Sequence, residues 1–266
     1  MQRLLVLIVF PLGFSVSCSA PAPTPALGEI ADGQVRIVDL SYPLNEQNPH
    51  WPGEAYKPFR FETLATLEAD GVFSGAFCMP EHLGTHVDAP NHFEAARQSV
   101  DELELSQLVA PMVVIDVSQN SASNADYQVS EDDLRTWEEV HNLIPQGAVV
   151  FAYTGWGQYW NDFDRYKNQD ETGRLHFPGF SPQAARFLVE ERSTKGIGID
   201  TLSVDYGLSS DFAVHHIVNG AGGYHIENAA ALDQVPARGA WVIIAPIKIE
   251  GGSGGPARVW ALFPYN

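Results

Sequence analysis

Residues 81–93, Glu-His-Leu-Gly-Thr-His-Val-Asp-Ala-Pro-Asn-His-Phe, gather three histidines and one aspartate. Imidazole nitrogens and a carboxylate form the donor set that zinc or manganese takes in a catalytic site, with a position left for water. On a helix His82 and His86 would share a face, but Asp88 would fall opposite, and Gly84 and Pro90 would both be misplaced. On an extended segment His82, Gly84, His86 and Asp88 all point the same way. The extended reading predicts His82, His86 and Asp88 as metal ligands, with Gly84 leaving room for the ion between the histidines. Pro90 then bends the chain and turns His92 toward the metal's open side, as a polar group rather than a fourth ligand. A polar surface loop would account for a single histidine, but it accounts poorly for this whole set.

A second cluster comprises His215-His216 and Tyr224-His225-Ile226-Glu227-Asn228. The turn-like Asn219-Gly220-Ala221-Gly222-Gly223 between them lets the two ends fold together. Its residues alone leave a functional and a structural role equally open. Trp51, flanked by prolines in a loop, is either a buried anchor or a flat apolar wall for an aromatic substrate. Cys78 stands four residues before His82 on the same alternation, and a free cysteine is more often a small buried hydrophobe than a ligand. Asp200 and Asp205 sit near a strand end, where acids cap or turn, so they stay outside the predicted site.

The elements that must position these groups can be read from pattern. Val35 to Leu40 alternates weakly as a strand and enters the Pro-rich loop Pro43 to Pro52. Val100 to Leu108 reads as a short helix, and Met112 to Val117 as a buried strand. Ser130 with Asp133 forms a capping box for a helix through Leu134, Trp137 and Val140. Val149 to Tyr153 is another buried strand, with Thr154-Gly155-Trp156 at its carboxyl end, where α/β sheets place ligands. Asn161 to Arg174 is a polar surface loop or a lid. Ser181-Pro182 opens a helix reaching about Arg192, and Gly196 to Val204 is the next strand. Gly239 to Ile249 and Pro256 to Phe263 are strand-like runs joined by a glycine-rich turn that lacks the lysine and following helix of a phosphate loop. This order predicts one α/β domain with a mixed sheet or barrel-like core.

A chain of 266 residues, 45% hydrophobic and 18% charged, can bury a real core in a single domain. Its formal net charge of −18 argues against nucleic acid and anionic membrane surfaces as partners. Residues 1–20 carry Arg3, an apolar run too short to span a bilayer, and then small residues, as a signal peptide does. Cys18 is a candidate lipidation site, with cleavage after Ala20 the alternative. Residues 21–34 read as a flexible spacer and 35–266 as the functional domain. The expected address is outside the cytoplasm, periplasmic or lipid-anchored. With Cys18 removed or lipidated, Cys78 stands alone and no internal disulfide can form.

The run His82-Leu83-Gly84-Thr85-His86-Val87-Asp88-Ala89-Pro90-Asn91-His92 resembles the signature of the cyclase-like metal-dependent hydrolases, which include bacterial kynurenine formamidases and isatin hydrolases. The likeness continues through Trp51-Pro52-Gly53, Thr154-Gly155-Trp156, Phe177-Pro178-Gly179, Gly198-Ile199-Asp200-Thr201, Ser203-Val204-Asp205, His215 and Ile226-Glu227-Asn228, in the family's order. It implies a swivelling β/β/α fold, a homodimer or higher oligomer, and one or two zinc or manganese ions. It also implies His215 and Glu227 as a second metal pair, with His216 and His225 off that register in supporting or structural roles. With it Trp51 becomes the substrate wall, while His92, by its own placement beyond Pro90, is set to shuttle a proton to the leaving nitrogen. The expected reaction is hydrolysis of an aryl formamide such as N-formylkynurenine. Because tryptophan breakdown is normally cytosolic, an exported chain also brings forward the ring opening of a cyclic amide such as isatin. A non-catalytic exported protein that captures a metal or an aromatic ligand is the reading from another class.

Overall fold

The computed structural model describes residues 27–265. The signal segment, Cys18 and the first part of the spacer lie outside them. Its strands are β1 (Val35–Asp39), β2 (Arg60–Ala65), β3 (Ser74–Cys78), β4 (His86–Asp88), β5 (Val109–Asp116), β6 (Gln128–Val129), β7 (Val149–Tyr153), β8 (Gly179–Phe180), β9 (Gly196–Ile199), β10 (Tyr224–Glu227), β11 (Ala240–Pro246) and β12 (Gly254–Pro264). The helices are α1 (Leu27–Ala31), within the predicted spacer, α2 (Leu67–Asp70), α3 (Ser118–Ser123), α4 (Glu131–His141), α5 (Phe163–Lys167), α6 (Pro182–Arg186) and α7 (Ala213–Gly220).

One sheet runs β1-β12-β11-β5-β7-β9-β10-β4, and β4 pairs back onto β12. Seven strands therefore close into a barrel, with β1 added on the outside of β12. The stretch β5-β7-β9-β10 is parallel and the remaining pairs are antiparallel, so the sheet is mixed. The continuous apolar runs of β5 and β7 follow from burial on both faces. Met112, Val114 and Phe151 belong to one core cluster, while Val113, Ile115, Val150 and Ala152 pack with α4, α6 and α7 in another. Full burial of each large side chain contributes about 1.5–3 kcal/mol. Gly198 on β9 makes room for this packing, since a Cβ there would lie 2.4 Å from the Phe151 ring.

The capping box at Ser130 and the N-cap at Ser181 act as expected. Ser130 Oγ accepts the Asp133 N–H, the Asp133 carboxylate accepts the Ser130 N–H, and Trp137 anchors α4 by donating to the Val114 carbonyl at 3.0 Å. Ser181 caps α6, which continues as a π-helical turn over Phe187–Glu191.

Several expectations are corrected. Only Val100–Glu102 of the predicted helix at Val100 to Leu108 is helical, as a 3-10 turn, because Leu103 is already extended. The strand expected over Gly196 to Val204 ends at Ile199, and Asp200 turns aside to accept from Thr154. Asn219 and Gly220 still belong to α7, so the turn between the two histidine clusters is shorter than the sequence suggested. The hairpin β2–β3 was not anticipated, and its Phe61, Phe73 and Phe77 are exposed. Cys78, at its end, is exposed rather than buried and belongs to none of the candidate metal groups among the described residues. The polar segment 161–174 contains α5 and is tied down by Tyr166, which is fully buried.

Candidate metal centre and substrate recess

The predicted extended run from His82 to Asp88 is only half extended. Regular pairing begins at His86, and Gly84 adopts φ +70°, a left-handed conformation open to glycine. The glycine does not vacate space for an ion, since a Cβ there would meet Leu44 at 2.7 Å. It turns the chain and exposes its own carbonyl, which accepts from the Asn228 amide at 2.9 Å and from His86 Nδ1 at 2.9 Å. That bond leaves the buried His86 Nε2 facing inward without a hydrogen-bond partner.

The antiparallel pairing of β4 with β10 sets Glu227 opposite His86 and His225 opposite Asp88. Two lobes result. In the first, His82 Nδ1 lies 2.5 Å from Asp88 Oδ1, while His86 Nε2 lies 3.1 Å from the same oxygen and 3.5 Å from Glu227 Oε2. In the second, His215 Nε2 is 3.3 Å from Asp88 Oδ2 and 3.4 Å from Glu227 Oε1, with His225 Nδ1 3.7 Å from Asp88 Oδ2. Each carboxylate thus turns one oxygen to each lobe. The structure brings together His82, His86, Asp88, His215 and Glu227, with His92 also offering a ring nitrogen to the His82–Asp88 pair. It adds His225, which the sequence reading set aside: residues two apart on a strand share a face, so His225 points where Glu227 points. Both ring nitrogens of His225 are buried and have no hydrogen-bond partner among the described residues.

Supports surround both lobes. Asp205 accepts from His215 Nδ1 at 2.7 Å and from the backbone N–H groups of Val214 and His215, fixing the ring at the start of α7. His82 Nε2 meets Ser253 Oγ at 2.9 Å, and that hydroxyl donates to Glu81. Asn228 also accepts from the Tyr166 hydroxyl at 2.9 Å. His216 faces outward to Glu94. The sequence reading missed the Asp205 role; its signal was an acid ten residues before a functional histidine.

Electrostatics give the cluster a demand for positive charge. Burial alone would depress the His86 imidazole, but Asp88 and Glu227 outweigh it and lift it to about 9. Burial opposes the charged form of Asp88 too, and the surrounding imidazoles hold it well below the usual carboxylate range. His215 is raised well above its ordinary value by Asp205, Asp88 and Glu227 against its burial. A field that holds protons on buried histidines also favours a metal cation, which the unpartnered His86 and His225 nitrogens are suited to bind.

His92 stands at the end of the 3-10 turn Pro90–His92, its ring stacked on His82 at 3.9 Å. Burial, with His82, His215 and His225 adding to it, pushes His92 down to about 3 despite Asp88. The centre opens into a recess of about 290 Å³ that Trp51, Phe93 and Phe212 also line. Trp51 is half-buried, 6.0 Å from the Phe212 ring and 6.5 Å from Phe177, so it is anchored and also forms a wall.

Two lobes of imidazoles bridged by carboxylates, opening from a closed barrel into an apolar recess, define a hydrolase centre built for a divalent metal. The chain belongs to the cyclase family of metal-dependent hydrolases: the family model described as "Putative cyclase" matches residues 38–206. It is 32% identical to an isatin hydrolase of Roseibium aggregatum over 92% of this chain and 99% of that one. It is 29% identical to a kynurenine formamidase of Bacillus cytotoxicus, covering 83% of this chain and 94% of the relative. Isatin hydrolase A from Labrenzia aggregata, solved with benzyl benzoate bound, superposes with a TM-score of 0.85 at 35% identity, covering 90% of this chain and 98% of that one.

Proposed function

We propose that this chain hydrolyses the amide C–N bond of a small aromatic cyclic amide of the isatin type. The observation that carries this reading is the lining of the recess. Aromatic walls stand over the imidazoles and carboxylates, and among the described lining residues there is no lysine or arginine. N-formylkynurenine, the first expectation from sequence, carries an amino-acid carboxylate that calls for such a partner. A compact bicyclic amide makes no such demand, and a recess of about 290 Å³ suits it. The longer match to an isatin hydrolase points the same way. Aryl formamide hydrolysis is the second reading, supported by the match to a kynurenine formamidase.

His82, His86, Asp88 and Glu227 would hold one ion, and His215 and His225 beside Asp88 offer donors for a second. A divalent metal bound there supplies Lewis-acid polarisation of the carbonyl and lowers the pKa of the attacking water from 15.7 to about 7. The protein supplies the rest. Trp51 and Phe212, in contact with each other, would form one apolar wall against the flat substrate and exclude water from that face. Water oxygen adds to the amide carbon, the C–N bond breaks, and the ring opens to a carboxylate and an arylamine. His92, its pKa pushed down to about 3 and so neutral, would pass a proton from the attacking water on to the departing nitrogen without storing it.

Purified protein loaded in turn with manganese and zinc should be assayed on isatin, N-formylkynurenine and formanilide, with metal analysis on the same preparation. Isatin should be turned over with a kcat/KM at least about tenfold above that of N-formylkynurenine, a difference of about 1.4 kcal/mol in transition-state binding. The opposite ranking makes the chain an aryl formamidase. Metal binding without turnover of any of the three leaves the capture-protein reading.

A further inference from the structure

A second recess, of about 280 Å³, lies at the carboxyl ends of β7 and β9 and shares no lining residue with the first. At its buried end is Asp200, only 2% exposed. Asp200 Oδ1 accepts from the Thr154 N–H at 3.0 Å and the Thr154 hydroxyl at 2.6 Å, whereas Oδ2 has no hydrogen-bond partner among the described residues. A buried carboxylate oxygen left unpaired costs several kcal/mol in its ionised form, so such a group asks for a donor. The half-buried Tyr42 and Tyr153 form walls, Leu232 adds an apolar patch, and the exposed Asp233 stands at the rim. No lysine, arginine or histidine is among the described lining residues.

We propose that this recess binds a small organic cation, a primary ammonium on a short apolar tail, with the ammonium on Asp200 Oδ2 and Asp233 adding attraction at the entrance. An ammonium brings three donors to a site rich in acceptors and tolerates phenol faces beside it. A calcium ion takes six to eight oxygens, and this site leaves a single buried carboxylate oxygen unpaired. Burial, only partly offset by hydrogen bonds from Thr154 and the Gly157 backbone, lifts Asp200 to about 6. Above that pH the carboxylate is charged, hydrogen-bonded by Thr154 but with no cationic side chain among the described lining residues. The phenols of Tyr42 and Tyr153 are raised by burial and by the two nearby carboxylates, which keeps them neutral.

Calorimetric titration of the metal-loaded enzyme at pH 8 with butylammonium chloride tests this, with sodium chloride at equal ionic strength and pentan-1-ol as the uncharged tail. Saturable butylammonium binding is expected, at least about tenfold weaker in Asp200→Asn and weakened in Asp233→Asn, with bound metal unchanged; tenfold corresponds to about 1.4 kcal/mol. Absence of saturable binding, equal affinity for sodium or pentan-1-ol, or undiminished affinity in Asp200→Asn overturns the proposal. If Asp200→Asn does not fold, undiminished affinity in Asp233→Asn overturns it.

Discussion

His92 and His86 are both imidazoles beside Asp88, yet their surroundings separate their tasks. His86 donates from Nδ1 to the Gly84 carbonyl and presents a bare Nε2 to two carboxylates. His92 has no carboxylate within ion-pair distance, stacks on His82, and lines the recess where substrate would sit. His86→Ala should therefore abolish metal content and activity together, read by metal analysis and isatin turnover. His92→Ala should keep its metal while hydrolysis slows by at least about a hundredfold, the low end of acid-base effects; full activity there would remove the shuttle. Asp205 acts through His215 as a positioning residue. Asp205→Asn should weaken metal affinity by about 10- to 100-fold, measured by competition with a chelating dye, with the fold retained by circular dichroism. Most of this was legible from residue types and spacing, because chelation needs particular donors close together. His225 was missed by attending to the family's register instead of strand alternation, and Asp205 because its partner arrives through folding.

Element boundaries follow a similar division between local and non-local causes. Capping boxes and apolar runs are local, so α4, α6, β5 and β7 could be read from the chain itself. The closure of β4 on β12 joins residues 86–88 to residues 254–256, and no local pattern encodes it. The hairpin β2–β3 escaped notice because its exposed phenylalanines give no inside-outside alternation. The 3-10 turn at Val100 and the early end of β9 were missed because tertiary bonds, such as Asp200 with Thr154, overrode propensity. The bend at Gly84 links element to site. Gly84→Ala places a side chain at φ +70°, at a cost of about 1–2 kcal/mol, and 2.7 Å from Leu44. Its thermal midpoint should fall by several degrees and its metal affinity should weaken, since the Gly84 carbonyl orients His86. Ser130→Ala, at the α4 cap, should cost about 1 kcal/mol with metal content and kinetics unchanged.

For the molecule as a whole, the metal centre and the outer segments should contribute to stability under different conditions. The centre gathers imidazoles and carboxylates from β4, β10, α7 and the loop before β4, so an ion bound there would tie distant parts of the barrel to one another. Metal at about a hundred times its dissociation constant adds about 2.7 kcal/mol, or several degrees in thermal midpoint for a chain of this size. Chelation should remove that increment, and manganese or zinc should restore it. Segment 161–176 is held at its far end by His176, whose Nδ1 lies 2.9 Å from Asp126 and whose Nε2 lies 3.3 Å from Asp170. The hydrogen bond to Asp126, with Asp170 adding to it, raises His176 above its ordinary 6.5. A raised histidine contributes stability that is fully present below its unfolded value and disappears as pH rises through its folded value. His176→Asn should therefore lower the thermal midpoint at pH 5.5 relative to wild type and converge with it at pH 9. The segment also carries Tyr166, whose hydroxyl bonds the Asp200 carbonyl and the Asn228 side chain. Loosening it should therefore raise KM for isatin before it alters metal content, and an unchanged KM at both pH values would confine His176 to the surface.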